Sequence, residues 1–310
     1  MKKKSMIFLI ILAIAIRLFL MYSCYHPDLA GQSLSVYFWS FKNITNIYDH
    51  LLSLPSSHPL VKNFGVSDIF IYPPLTYFTL GTFQKLFSFT GLQNFLETLM
   101  SGFNVYQIPN LSLYLIILKL PYLFIDMVVA FFLYNCFTKK RDKNIALIFW
   151  LFNPVTLYST FAMGVFDIIP VMFTVLTYYF YIRKKYAYSF ISLGFGIAFK
   201  MYPIFLLPFL VFKSSSNFLK RVKYTLIAFL PIILTNLPYL NSSAYKFMVF
   251  SPKSQKMFYM QWMLSGAEGI FPFILFSVLL YLFSQNIRFS KISLSTFFLS
   301  FFLLLFSVTH

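Results

Sequence analysis

Apolar residues along this chain come in blocks of about 15 to 25, the length that carries an α-helix across a bilayer core, separated by short polar or basic stretches. Period-2 alternation is absent, which argues against a β-barrel. The pattern predicts a first span over Met6 to Tyr22, then a long polar-aromatic stretch over 23–70. Next come Ile71 to Phe89, opening with Tyr72-Pro73-Pro74, and a moderately apolar piece over 90–111. Further spans are predicted over Leu113 to Phe137, Ile145 to Met163, Ile168 to Ile182, Tyr186 to Phe199, Tyr202 to Phe212 and Val222 to Leu237. A polar loop, 239–267, precedes Ile270 to Phe283 and Ser293 to Phe306. The expected fold is all-α and integral to the membrane: a polytopic bundle of about nine to eleven spans forming one domain over 1–310, with no internal repeat.

Charge fixes the expected orientation. The basic clusters 139–143, 183–185, 213–223 and 288–291 fall between apolar blocks, as cytoplasmic loops do. With these inside, the N-terminus is cytoplasmic, and stretch 23–70, Asp167, Lys200 and loop 239–267 face the outside. Residues 71–111 must then re-enter or cross twice, which is tolerated where protein or a water cavity covers the backbone. The basic start followed by an apolar run resembles a signal peptide, but Arg17 interrupts it and no clean cleavage site follows, so a retained first helix is expected. Cys24 and Cys136 fall at opposite faces, too far apart to pair.

The 310 residues are 59% hydrophobic and only 11% charged, too little charge to cover a soluble domain of this size. The net charge of +17 belongs to the loops, so nucleic acid is not an expected partner.

Charges inside spans cost about 2.5–3.5 kcal/mol on insertion scales and tend to mark function. Arg17, Lys119, Asp126 and Lys200 stand out. Lys119 and Asp126 are seven apart on one helix face, a rise of about 10 Å, so each needs another partner; interhelical bonding explains them as readily as chemistry. Asp28, in His26-Pro27-Asp28-Leu29 just beyond the first span, is either a candidate general base or a solvated helix-end carboxylate. Ile47-Tyr48-Asp49-His50 sets a second carboxylate beside an imidazole. There is no glycine-rich phosphate loop, HExxH pair or Asp-x-Asp pair. No metal ligands are assigned, and a divalent cation is left open.

Several of these segments, in order, resemble the GT-C class of polyprenol-phosphate-sugar glycosyltransferases, in particular its mannosyltransferase-related, GPI-mannosyltransferase-like group. The likeness lies in Arg17-Leu18, His26-Pro27-Asp28-Leu29, Ile47-Tyr48-Asp49, Tyr72-Pro73-Pro74-Leu75, Leu118-Lys119-Leu120-Pro121 with Asp126, Phe152-Asn153-Pro154, Gly164-Val165-Phe166-Asp167 and Phe199-Lys200-Met201-Tyr202-Pro203. Where the family often has Trp-Gly-Gln, this chain has Met163-Gly164-Val165. The family also usually runs longer, so the sequence reads as a shortened member.

The resemblance implies transfer of a sugar, usually mannose, from a polyprenyl-phosphate donor to a glycan or glycolipid acceptor on the extracytoplasmic face, with inversion. Asp28 takes the place of the base. Lys200 is the candidate for the donor phosphate, with Lys253 and Lys256 as further candidates. His26, Asp49, His50, Tyr72, Lys119, Asp126 and Asp167 are expected to support the site or the acceptor. A lipid-linked glycan transporter and a non-catalytic membrane assembly subunit remain as alternatives. The acidic residues load the first outer stretch rather than two matching halves, which favours an enzyme over a transporter.

Overall fold

In a computed structural model that describes residues 3–65, 69–102 and 104–250, with short pieces between 261 and 278, the chain is predominantly helical. The helices are α1 (Lys3–Ser23), α2 (Pro27–Lys42), α3 (Ile47–Ser53), α4 (Pro59–Phe64), α5 (Pro74–Leu86), α6 (Leu92–Met100), α7 (Leu111–Cys136), α8 (Lys140–Leu151), α9 (Pro154–Thr156), α10 (Ile168–Tyr181), α11 (Tyr186–Phe199), α12 (Leu206–Ser214), α13 (Phe218–Asn236) and α14 (Ser243–Val249). A π-helical turn, Leu157–Ala162, follows α9. Among the described residues the only strands are Trp262–Ser265, in the stretch read as loop 239–267, and Glu268–Ile270 just beyond it, paired antiparallel.

Three helical stretches among the described residues are long and apolar enough to cross a membrane: Lys4–Ser23, Leu111–Cys136 and Lys140–Ala162. The third is interrupted where Asn153 caps α9 by accepting from the Val155 and Thr156 amides. Among the shorter apolar helices, Ile168–Tyr181, Tyr186–Phe199 and Tyr202–Ser214, the first packs on α7 and the second on the first. At 1.5 Å per residue, the 14 residues of α10 or α11 reach only about 21 Å, short of a 30 Å hydrocarbon core. Large apolar side chains such as Phe8, Phe19, Phe124, Phe131 and Phe149 stand exposed on the long helices, as on a protein whose solvent is lipid.

The stretch 23–70, read from composition as a long loop, is largely helical. Its main element, α2, is buried over most of its length and packs on α5 and α6. Its serines hid this. Ser35 and Ser40 donate to carbonyls one turn back, Gly31 at 2.7 Å and Val36 at 3.0 Å, so a polar-looking helix enters the core with its hydroxyls satisfied. Residues 71–111 form α5 and α6, of 13 and 9 residues. Neither has the length of a full crossing.

Two buried clusters hold the bundle. The larger gathers α2, α3, α5, α6, α7 and α10; the smaller joins α11, α12 and α13. Between α11 and α13 the backbones come so close that a Cβ on Gly194 would lie 2.2 Å from the Ala228 carbonyl oxygen, so only glycine fits there.

The charge network inside the long helices is fully enclosed. Arg17 on α1 and Asp126 on α7 are both 0% exposed and meet at 2.7 Å from Nε to Oδ2. Arg17 Nη1 also donates to the Ala13 and Leu151 carbonyls, and its guanidinium lies 5.1 Å from the centre of the Phe161 ring. The Trp150 indole donates to the other Asp126 oxygen at 2.9 Å. One ion pair thereby joins α1, α7 and α8. Removing one partner of a buried pair strands the other, at a cost of about 3–5 kcal/mol. Asp126→Asn and Arg17→Met are each expected to lower unfolding stability in detergent by that amount, while Arg17→Leu/Asp126→Leu loses much less than the two single losses combined. Strict additivity in equilibrium unfolding would refute the coupling.

Candidate functional site

Four separate segments meet at one end of the bundle. The first is the start of α2. Pro27 takes the first helical position, which suits its fixed φ and missing N–H, and His26 caps the helix by accepting the Asp28 amide on Nδ1 at 3.2 Å. Because that nitrogen already accepts, it has no proton to give the Asp28 carboxylate, whose Oδ2 lies 3.6 Å away. Asp28 thus sits in the first turn of α2 with its side chain 58% exposed, reachable by a polar partner.

The second segment is the turn from the π-helix into α10, which ends at Asp167. The third is the Phe199–Tyr202 corner after α11, carrying Lys200. The Lys200 ammonium donates to Asp167 Oδ1 at 2.6 Å, each side chain about one-third exposed. The fourth is Tyr72, whose ring lies 5.7 Å from Lys200 Nζ and meets Phe166 edge-on at 4.7 Å. Phe166 itself lies 5.8 Å from the same ammonium. Burial disfavours the Lys200 charge, but the carboxylates, Asp167 foremost and then Asp28, outweigh it and hold the ammonium above its ordinary range. Burial likewise pushes the Tyr72 hydroxyl up, so it stays protonated. The start of α2 is held against the turn that bears Asp167 by Leu29, which a Cβ on Gly164 would meet at 3.0 Å, and by Gln32, which donates to the Gly164 carbonyl.

The turn carrying Asp167 is clamped from three sides. Gly164 has φ +75, and a Cβ there would meet Leu29 Cδ1 at 3.0 Å and Lys119 Cε at 3.1 Å. Gln32 on α2 donates its side-chain amide to the Gly164 carbonyl. Beneath the turn, Lys119 donates to Phe161 and Ala162.

The other expected site residues divide clearly. Tyr48 donates its hydroxyl to the Tyr72 carbonyl at 2.6 Å and so ties α3 to the site from behind. Asp49 points elsewhere, accepting from Asn46 and from Ser242 at 2.6 Å each. His50 packs on Phe38 with ring centres 4.4 Å apart; burial and His58 lower its basicity. Asp126 belongs to the buried pair with Arg17. Lys253 and Lys256 lie outside the described residues. Gln32 was not singled out from the sequence and Phe166 was quoted only within Gly164-Val165-Phe166-Asp167 without a role, although Gln32 stands one helical turn after Asp28, a spacing that puts both on one face.

Among the described residues, no three His, Cys, Asp or Glu side chains gather as metal ligands. Cys24 and Cys136 are both free. Comparison with known protein families, with curated proteins and with solved structures gives no match.

Two expectations follow. Gly164→Ala combines a left-handed backbone with contacts at 3.0–3.1 Å and should cost about 2 kcal/mol or more, whereas Gly102→Ala, with φ +83 but nothing within 4 Å, should cost about 1 kcal/mol from the backbone alone; equal losses on unfolding would contradict the clamp. For Lys200 the folded-state basicity is raised, so its contribution to stability is complete below the unfolded value of 10.5 and is lost as pH rises through the higher folded value. The stability gap between wild type and Lys200→Met should therefore be flat from about pH 6 to 9 and narrow only above about 10.5. With both partners one-third exposed, that gap is about 1 kcal/mol at most.

Proposed function

We propose that this chain is an integral-membrane glycosyltransferase. It moves a sugar, mannose on the family likeness, from a polyprenyl-phosphate donor to a hydroxyl of a glycan or glycolipid. Transfer occurs on the extracytoplasmic face of a bundle of nine to eleven crossings whose N-terminus is cytoplasmic. The observation that carries this reading is that α2, which presents the accessible carboxylate of Asp28, is held to the turn bearing Asp167, whose carboxylate pairs with the cation Lys200 beside the rings of Tyr72 and Phe166. These are the elements that a displacement at a sugar carbon bonded to phosphate requires: a base, a countercharge and an apolar wall.

In that reaction Asp28 accepts the proton of the acceptor hydroxyl. The acceptor oxygen attacks the anomeric carbon from the face opposite the phosphate. The carbon–oxygen bond to phosphate breaks, its electron pair leaves with the polyprenyl phosphate, and the configuration inverts. Lys200 stabilises the departing phosphate. Asp167 already pairs with that cation, so the donor phosphate competes with a carboxylate for it. The same pairing holds the Lys200 ammonium near the Tyr72 and Phe166 rings. Lys139-Lys140-Arg141 and Arg183-Lys184-Lys185 fall at the other end, where Arg183 donates to the Asn135 carbonyl at 2.7 Å, in keeping with basic loops on the opposite membrane face.

The test is transfer from labelled polyprenyl-phosphate mannose by purified membranes. Asp28→Asn should reduce turnover by about 10³-fold or more with insertion and folding intact. Lys200→Ala should weaken use of the donor more than use of the acceptor. Turnover by Asp28→Asn at the wild-type rate would remove Asp28 from the base role. Movement of a lipid-linked glycan between leaflets without glycosidic bond formation would replace the enzyme reading with a transporter.

A further inference from the structure

Lys119 is fully buried on α7, and no carboxylate pairs with it among the described residues. Its charge is held by carbonyl oxygens alone. The ammonium has three hydrogens, and it has three acceptors: Cys24 at 2.6 Å, Phe161 at 2.9 Å and Ala162 at 3.0 Å.

These acceptors occupy particular places. The Cys24 carbonyl lies just past the C-terminal end of α1, and the Phe161 and Ala162 carbonyls end the π-helical turn. The last carbonyls of a helix have no partner within it and carry the negative end of the helix dipole. Lys119 therefore joins two helix ends that would otherwise repel, and it satisfies their free acceptors. Both arms of the candidate site leave from these ends. Asp28 follows Cys24 by four residues, and Asp167 follows Ala162 by five. Gly164, on the second arm, rests against the Lys119 side chain itself.

We propose that Lys119 is the positioning residue that sets the distance between the Asp28 arm and the Asp167–Lys200 arm. The inference rests on reading those residues as the site. Lys119 touches no reacting atom. It fixes the two segments that carry them, and misplacement by about 1 Å can cost a reaction roughly 10²-fold.

Spin labels at Tyr25→Cys and Val165→Cys, in a Cys24→Ser/Cys136→Ala background of the full chain, report the separation of the two arms directly. Lys119→Met should broaden and shift that distance distribution. It should lower the rate of transfer at saturating donor about 100-fold and change the donor KM little, because Lys200 is intact. Lys119→Arg keeps the charge but is longer and planar; it should fold, recover part of the rate and show an intermediate distance. A monodisperse Lys119→Met with the wild-type distance overturns the proposal. Should Lys119→Met not fold, a Lys119→Arg with unchanged distance and unchanged rate overturns it as well. If the wild type transfers no sugar, the glycosyltransferase reading fails, while the label distances still decide whether Lys119 sets the spacing.

Discussion

The buried pair between Arg17 and Asp126 is the interaction on which the arrangement of the long helices depends. In hydrocarbon there is no water to take over a stranded donor or acceptor, so each polar group must find its partner inside the protein. The chain meets most of this condition by joining distant segments: an arginine on α1 with an aspartate on α7, a tryptophan on α8 with the same aspartate, and a lysine on α7 with the ends of α1 and the π-helical turn; Arg17 Nη2 is left without a hydrogen bond. Apolar packing alone would leave the rotation of each helix loosely set, because lipid tails compete equally for the same surfaces. The charged groups choose one register.

Much of this was legible along the chain. The apolar blocks located α1, α7, α10, α11 and α13 to within a few residues, because lipid-exposed and core positions are both apolar, although α10 and α11 are shorter than a crossing. Arg17, Lys119 and Asp126 announced themselves by their cost. The inference that Lys119 and Asp126, seven residues apart, need separate partners agrees with the geometry, since a helix rise separates them by about 10 Å. Partner identity was not legible, because Arg17 meets Asp126 across 109 positions and the sequence carries no mark of which helices touch.

Stretch 23–70 was the least legible part. Serines, glutamine and aromatics in α2 look like a solvated loop by composition, and only the carbonyls they bond, one turn back or on another helix, turn them into core residues. The candidate site was half legible. Asp28, Tyr72, Asp167 and Lys200 were each in view, and the structure brings them together. Asp49 and His50 looked equivalent in sequence but are committed to Ser242 and Phe38. Adjacent letters cannot say which way α3 turns its faces.

The distance in sequence between Arg17 and Asp126 has a consequence for how the protein is made. Chains are threaded into the bilayer from the N-terminus, at a rate of about 5–20 residues per second. Arg17 therefore emerges several seconds before its carboxylate exists. During that interval α1 carries an uncompensated cation, and the cheapest place for it is near the interface, where a long arginine reaches the headgroups. Completion of α7 then supplies the counterion, and α8 the indole and the Leu151 carbonyl. Helix α1, made well before α7 and α8, thus reaches its final depth only after they are complete.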